Sequence, residues 1–340
     1  MTLCQFNQVD DIRAILAALP EADSNAIALA TDRQGQLTKP PGSLGRREDI
    51  AIFLAAWQGV EKPRINHPLC LIFAGNHGVA AQGVSAFPSE VTAQMVANFS
   101  HGGAAINQLT RAAQAELQVH PIDLDTPTAD FTTGPAMTGD EMLHAMTIGA
   151  EAVKDEADIL LVGEMGIANT TSATAIAMAV FGGDASQWTG RGTGIDDDGL
   201  KRKQNAVTAA LKANAAELGH GAGIMASLGG RELAAIAGAV MEARMRRLPV
   251  LVDGFITTAA LLPFYHDNRA FLDHCIISHR SAEPGHALML EKTGKTPLID
   301  FNLRLGEGSG AALALPIIRA AAETHSGMAT FAEAGVSGGE

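Results

Sequence analysis

Residues 303–310 read Leu-Arg-Leu-Gly-Glu-Gly-Ser-Gly and set one carboxylate, Glu307, among Gly306, Gly308 and Gly310. Glycine lets backbone approach a ligand closely and adopt conformations other residues avoid. The apolar run 311–322 that follows predicts a helix, with Pro316 as an expected irregularity. Its first turn would offer free N–H groups and a positive dipole end beside the carboxylate. Glu307 therefore has two readings, a general base for a small-molecule reaction or a plain partner of the dipole. Local sequence leaves both open.

Four other groups could share such a site. Residues 163–171 (Gly-Glu-Met-Gly-Ile-Ala-Asn-Thr-Thr) form the best anion candidate, since small hydroxyl residues and glycines at a helix entrance present N–H and O–H donors. Glu164 at its mouth suits ribose hydroxyls, or else caps the helix. The segment is neither G-x-G-x-x-G nor a Walker loop, so it gives no warrant for a dinucleotide or ATP. The remaining groups are 74–79 (Ala-Gly-Asn-His-Gly-Val), Asp253-Gly254-Phe255 and Ser278-His279-Arg280-Ser281. Ser278, His279 and Asp253 make a nucleophilic set on paper, without a G-x-S-x-G elbow. Asp196, Asp197 and Asp198 suit a magnesium ion poorly, because adjacent residues seldom enter one octahedral shell. Lys201, Arg202 and Lys203 beside them read as solvated. His77, His279 and His286 lack zinc spacing, so neither a metal nor another cofactor is expected.

The elements that must position these groups alternate. Short apolar runs at 68–74, 117–122, 158–163, 249–252 and 273–277, with a weaker sixth at 296–301, predict strands. Ala-rich patterns at 102–117, 142–154, 171–181 and 231–244 predict helices. The expected fold is α/β, a Rossmann-like, mostly parallel sheet of about six strands with helices on both faces. Ligands of open α/β sheets bind beyond the carboxyl ends of the strands, where these groups fall. Two further helices are expected within 9–32. Breaker-rich 37–46, with Lys39, Pro40, Pro41 and Arg46, reads as a linker on turn chemistry alone.

The chain has 340 residues, a formal charge of −13, 36 glycines, and only 12 Phe, 2 Trp and 1 Tyr. That acidity argues against a nucleic-acid partner. Three scattered cysteines suggest no disulfide framework. No long apolar run predicts a membrane span and no leader pattern is evident, so a cytoplasmic protein is expected.

Taken together, 37–44 (LTKPPGSL), 73–79, 83–95 (GVSAFPSEVTAQM), 163–171, 190–194, 228–238 (LGGRELAAIAG), 252–256 (VDGFI), 278–286 (SHRSAEPGH), 303–312 and 331–337 resemble one family. It is nicotinate-nucleotide–dimethylbenzimidazole phosphoribosyltransferase, of cobalamin lower-ligand synthesis. The motifs stand in family order across nearly the whole chain. The resemblance implies a catalytic α/β domain over 31–280, with 296–310 adding the catalytic loop. It also implies a small helical domain built from both chain ends, 1–30 with parts of 281–340, and a homodimer. It turns 37–46 from linker into active-site segment.

The implied reaction moves 5-phosphoribosyl from nicotinate mononucleotide to 5,6-dimethylbenzimidazole with inversion at C1′, and Glu307 is the implied base. Gly166, Asn169, Thr170 and Thr171 would hold phosphate with Lys203 as cation. Glu164 and Asp253 would face the nucleotide, while Phe87, Met95 and Leu305 would line the slot for the flat base. Two positions depart from the family: Asn76 stands where aspartate is common, and Ala168 where glycine is frequent. Asn76 is given no charge-dependent role, and Ala168 is expected at ordinary φ. A nucleotide sensor would bind without turnover, and a small-molecule kinase would require ATP and magnesium. A buried benzimidazole beside Glu307 should raise its pKa against the helix dipole.

Overall fold

Strand β1, Pro68–Ala74, is buried at every position, as its unbroken apolar sequence requires of a strand covered on both faces. Its residues alternate between two cores: Leu69, Leu71 and Phe73 enter one, Cys70 and Ile72 the other. The computed structural model describes residues 2–192 and 194–337; Met1, Thr193 (within the 190–194 motif) and residues 338–340 lie outside it.

The main sheet also contains β2 (Glu116–Pro121), β3 (Ile159–Met165), β4 (Val250–Val252) and β5 (Cys275–Ile277), in the order β2-β1-β3-β4-β5. Every pairing is parallel, so the expected doubly covered α/β fold is present. The sixth expected strand is a correction. Strand β7 (Ile299–Leu303) does not join this sheet but pairs in parallel with β6 (His279–Ser281). Only Ser278 separates β5 from β6, so the chain leaves the sheet there. Asp300, Phe301 and Asn302 of β7 are exposed, which a strand inside a covered parallel sheet would not be.

On one face, the helix Arg231–Met245 is buried along nearly its whole length. It crosses Gly139–Glu151 at backbone distance: a Cβ on Gly149 would overlap Ala235, and one on Gly238 would overlap Met146. On the other face lie Arg46–Gln58, Ala105–Ala113 and the 19-residue helix Ser309–Gly327, which contains Pro316.

The two N-terminal helices are Val9–Ala17 and Ser24–Gln36. Ile12 and Leu16 of the first join the β1 core. From the second, Arg33 donates to the carbonyls of His325 (2.9 Å) and Met328 (2.8 Å), and Leu37 bridges to Thr330. Residues 37–46 are no free linker, because Leu37 is fully buried and Lys39 pairs with Glu48 at 2.8 Å. No described helix is long and apolar enough to cross a membrane.

Candidate functional site

Three helices start around one cleft: Asn169–Phe181 after β3, Phe255–Asp267 after β4, and Ser309–Gly327 after β7. Each turns the positive end of its dipole toward it, a setting that suits an anion, although in the last of them the Ala311 N–H is already taken by Asp253. The cleft is lined by Glu164, Gly166, Asn169, Thr170, Asp253, Leu305 and Glu307 of the expected residues. His279, Glu283, Arg304, Met165 and Phe255 also contribute. A larger hollow of about 820 Å³ lies elsewhere, beside the segments that lead into β4 and β5, with Trp57, Arg244 and Asp273 in its wall. Size and chemistry part company here, because the convergent acids and helix starts belong to the smaller cleft.

Glu307 sits in a run of three left-handed residues, Gly306 (φ 80), Glu307 (φ 60) and Gly308 (φ 70). For a non-glycine this costs about 1–2 kcal/mol, strain of the kind functional sites retain. Neighbours hold the run in place. A Cβ on Gly306 would stand 2.5 Å from Glu164 Oε1, one on Gly163 would meet Gly308, and one on Gly310 would overlap the His279 ring. Glu307 is 6% exposed. Burial, with a contribution from the Asp253 charge, pushes its pKa up to about 7. A carboxyl with its pKa in that range can exchange a proton near neutrality.

Glu164 is pushed further, to about 8. Burial is the main cause; the amide of Asn169, which donates to Glu164, works against it, and the charges of Glu232, Asp253 and Glu307 add to it. Asp253 is buried and accepts from the Ala311 backbone N–H at 3.0 Å. Asp253 also lies 3.6 Å from His279 Nδ1, the same nitrogen that meets Ser278 Oγ at 3.0 Å. One nitrogen serves both neighbours, so the ring cannot relay a proton from serine to aspartate as a triad must. The serine-nucleophile reading falls on that geometry.

Lys203 overturns the expectation of a solvated lysine. It is 1% exposed, donates to Thr170 Oγ1 at 2.7 Å and approaches the Gly190 carbonyl at 3.4 Å. Burial lowers its pKa to about 8, opposed by the Glu283 charge. Lys203 is not in the cleft wall itself; it stands behind Thr170, which is, and donates to that hydroxyl at the start of Asn169–Phe181. Asn169 commits its amide to Glu164, and the Thr171 hydroxyl is buried without a partner.

Ala168 is a second correction: it lies at φ 76, ψ 0 rather than at ordinary φ. The chain must turn from Met165 at the end of β3 into a helix beginning at Asn169. As the N-cap, Ala168 turns left-handed while its carbonyl accepts from Thr171 N at 2.9 Å. Asn76 donates to the Leu124 carbonyl at 2.9 Å and does not line the cleft.

The apolar trio divides. Leu305 lines the cleft and is 56% exposed, whereas Phe87 (49% exposed) and Met95 do not line it. Met95 lies on the helix Glu90–Ser100, which is tied to the site where Ile167 N donates to Thr92 Oγ1 at 3.2 Å. Residues 37–46 also do not line the cleft. Glu283 and Arg304 were not anticipated as wall residues. Arg304 neighbours the Glu307 motif, which was the available signal, whereas Glu283 resembles any acid ahead of a helix.

Among the described residues no group of His, Cys, Asp and Glu could hold a metal ion. Residues 19–336 match a family model described as phosphoribosyltransferase. A protein of Ruegeria pomeroyi named nicotinate-nucleotide–dimethylbenzimidazole phosphoribosyltransferase is 57% identical over 96% of this chain and 97% of its own. One of the same name from a Jannaschia species is 56% identical over 97% and 98%. The crystal structure of the Thermus thermophilus protein of that name superposes with a TM-score of 0.86 at 41% identity, covering 93% of this chain and all of the other.

Proposed function

The chain belongs to the nicotinate-nucleotide–dimethylbenzimidazole phosphoribosyltransferase family, and from that premise we propose that it transfers 5-phosphoribosyl from nicotinate mononucleotide to 5,6-dimethylbenzimidazole. The products are α-ribazole 5′-phosphate and nicotinate, a step in assembling the nucleotide loop of cobalamin. The observation that carries the mechanism is Glu307, a nearly buried carboxylate raised to about 7 among three helix starts.

The nucleotide's leaving group is a pyridinium, which departs neutral at its ring nitrogen and needs no acid. The attacking benzimidazole nitrogen gains positive charge, and the proton on the other ring nitrogen must leave. Glu307 accepts that proton as the single base. Attack opposite the departing ring inverts C1′, so the site must hold both rings on opposite sides of the sugar. Such positioning supplies several kcal/mol, on the order of half the ~7–11 kcal/mol ceiling for ideal orientation.

The phosphate is assigned to Gly166, Thr170 and the N–H groups that open the helix Asn169–Phe181, with Lys203 as cation and Thr171 beneath. Glu164, oriented by Asn169, takes the ribose hydroxyls, and Asp253 faces the nucleotide from the end of β4. Leu305 supplies one wall of the base slot. Phe87 and Met95 are assigned to its outer part, which a homodimer partner completes beside 37–46. The catalytic body is 31–280 with 296–310, and the chain ends, 1–30 and parts of 281–340, form the helical part. The enzyme acts in the cytoplasm.

The test is release of nicotinate when the protein is incubated with nicotinate mononucleotide and dimethylbenzimidazole. Release that depends on both substrates is expected; none from folded protein, with other azoles and purines also tried, overturns the reading.

A further inference from the structure

Directly behind the cleft, His77 and Glu232 form a pair with no exposed side-chain surface at all. His77 Nε2 and Glu232 Oε1 share a hydrogen bond of 2.5 Å. His77 follows β1, and Glu232 stands in the first turn of Arg231–Met245. Three glycines from three segments wrap the carboxylate. A Cβ on Gly75 would stand 2.5 Å from Oε2, one on Gly230 2.7 Å from Oε2, and one on Gly166 2.8 Å from Oε1. None of these glycines has a positive φ, so it is space for Glu232 that excludes a side chain, not backbone conformation.

A fold needs no such pair. Buried ionisable groups are costly, and packed apolar residues of similar volume serve a core equally well or better. Complementing the helix dipole would require only a surface acid. The pair also leaves Glu232 Oε2 and His77 Nδ1 without partners. What it does reach is the site: Asn169 Nδ2 lies 3.5 Å from Glu232 Oε1 and donates to Glu164 Oε2. One amide thus stands between the buried pair and a carboxyl that lines the cleft.

We propose that Glu232, held by His77, is a positioning residue that acts through Asn169 to orient Glu164 toward the nucleotide. This rests on the phosphoribosyl-transfer reading and deepens it. Asn169 becomes the link, since its carboxamide is turned to the two acids. The charge of Glu232 also bears on the Glu164 proton. Glu164 is faced by Glu232 from Arg231–Met245, by Asp253 from the end of β4, by Glu307 from the loop after β7, and by the Asn169 amide. Removing the Glu232 charge lets Glu164 ionise at lower pH.

The test compares wild type, Glu232→Gln, Glu164→Gln and the double variant in nicotinate release and in calorimetric binding of nicotinate mononucleotide. Glu232→Gln is expected to lower kcat/KM for the nucleotide about tenfold or more, while adding little to the loss already caused by Glu164→Gln. The part of its pH profile that Glu164 governs, which rises as the carboxylate ionises to accept the ribose hydroxyls, moves toward lower pH. Additive losses with an unmoved pH profile would mean a merely structural role and overturn the proposal. If Glu232→Gln does not fold, Asn169→Ala cuts the same link. It should show the same kcat/KM loss, and wild-type kinetics in that variant would overturn the proposal. Wild type that releases no nicotinate sinks the reaction reading instead. The coupling is then judged from the four nucleotide affinities, where additivity again overturns it.

Discussion

Asp253 Oδ1 accepts a 3.0 Å hydrogen bond from the backbone N–H of Ala311, and this contact fastens the end of β4 to the first turn of the helix behind Glu307. The same carboxylate helps to raise the pKa of Glu307. Asp253→Asn retains an acceptor oxygen for Ala311 but removes the charge. The rise of kcat with pH should therefore move toward lower pH, with little change in thermal stability. An unmoved profile would show that the Asp253 charge does not reach the base.

Glu307→Gln tests the base directly. Turnover should fall about 10²–10⁴-fold, the usual worth of a positioned base, with nucleotide affinity close to wild type by calorimetry. In the wild type, kcat should climb with pH through about 7, because only the ionised carboxylate accepts a proton. The variant should lack that limb.

The same substitution should stabilise the fold above neutrality. A carboxyl whose folded pKa is raised to about 7 from 4.5 binds its proton more tightly in the native state. Its contribution is most favourable below about 4.5 and is lost as pH rises through 7. Glutamine mimics the protonated form at every pH. Thermal melts should show Glu307→Gln more stable than wild type at pH 8, by about 1 kcal/mol or roughly 2 °C, and alike at pH 4.

Lys203→Met should raise the nucleotide KM about 10–100-fold, the worth of a charge-assisted contact of ~1.5–3 kcal/mol. Lys203 loses its proton near pH 8, so wild-type nucleotide affinity should weaken above that pH. The methionine variant should be weak throughout and lack that component. Titrations at pH 7 and 9 separate the two outcomes.

Ala168→Gly should stabilise the protein. An alanine at φ 76 costs about 1–2 kcal/mol, and glycine returns about 0.5–1 kcal/mol of that as unfolded-state entropy. A net gain of about 0.5–1 kcal/mol is expected in denaturant titrations. A loss would mean that the alanine methyl packs better than its backbone is strained.

The inner strands were legible because parallel strands covered on both faces must be apolar without interruption, as Pro68–Ala74 is, whereas the half-exposed edge strand Glu116–Pro121 showed only the alternating Leu117 and Val119. The placement of 296–301 was not legible. Whether a half-polar strand joins a sheet or pairs beside it depends on where its partner strand goes, and His279–Ser281 leaves the sheet after a break of one residue, Ser278. Glu307 was visible through its glycines, which report close packing in any context. Lys203 was named only through the family resemblance, because locally a lysine in a charged cluster looks solvated until a helix turns it inward. Glu232 was hidden for the opposite reason: an acid in a first helical turn already has an ordinary explanation. The left-handed Ala168 was missed because residue preference was weighed without the geometry of a turn only three residues long.

The glycines that crowd Glu164, His279 and Glu232 have an evolutionary consequence. Any missense change at Gly75, Gly166, Gly230, Gly306 or Gly310 adds a side chain where a reactive group already stands, so drift at these positions destroys and does not tune. Leu305, in the cleft wall and 56% exposed, carries no such constraint. The cleft is thus divided into a centre where any added side-chain atom collides and an edge where substitution meets open space.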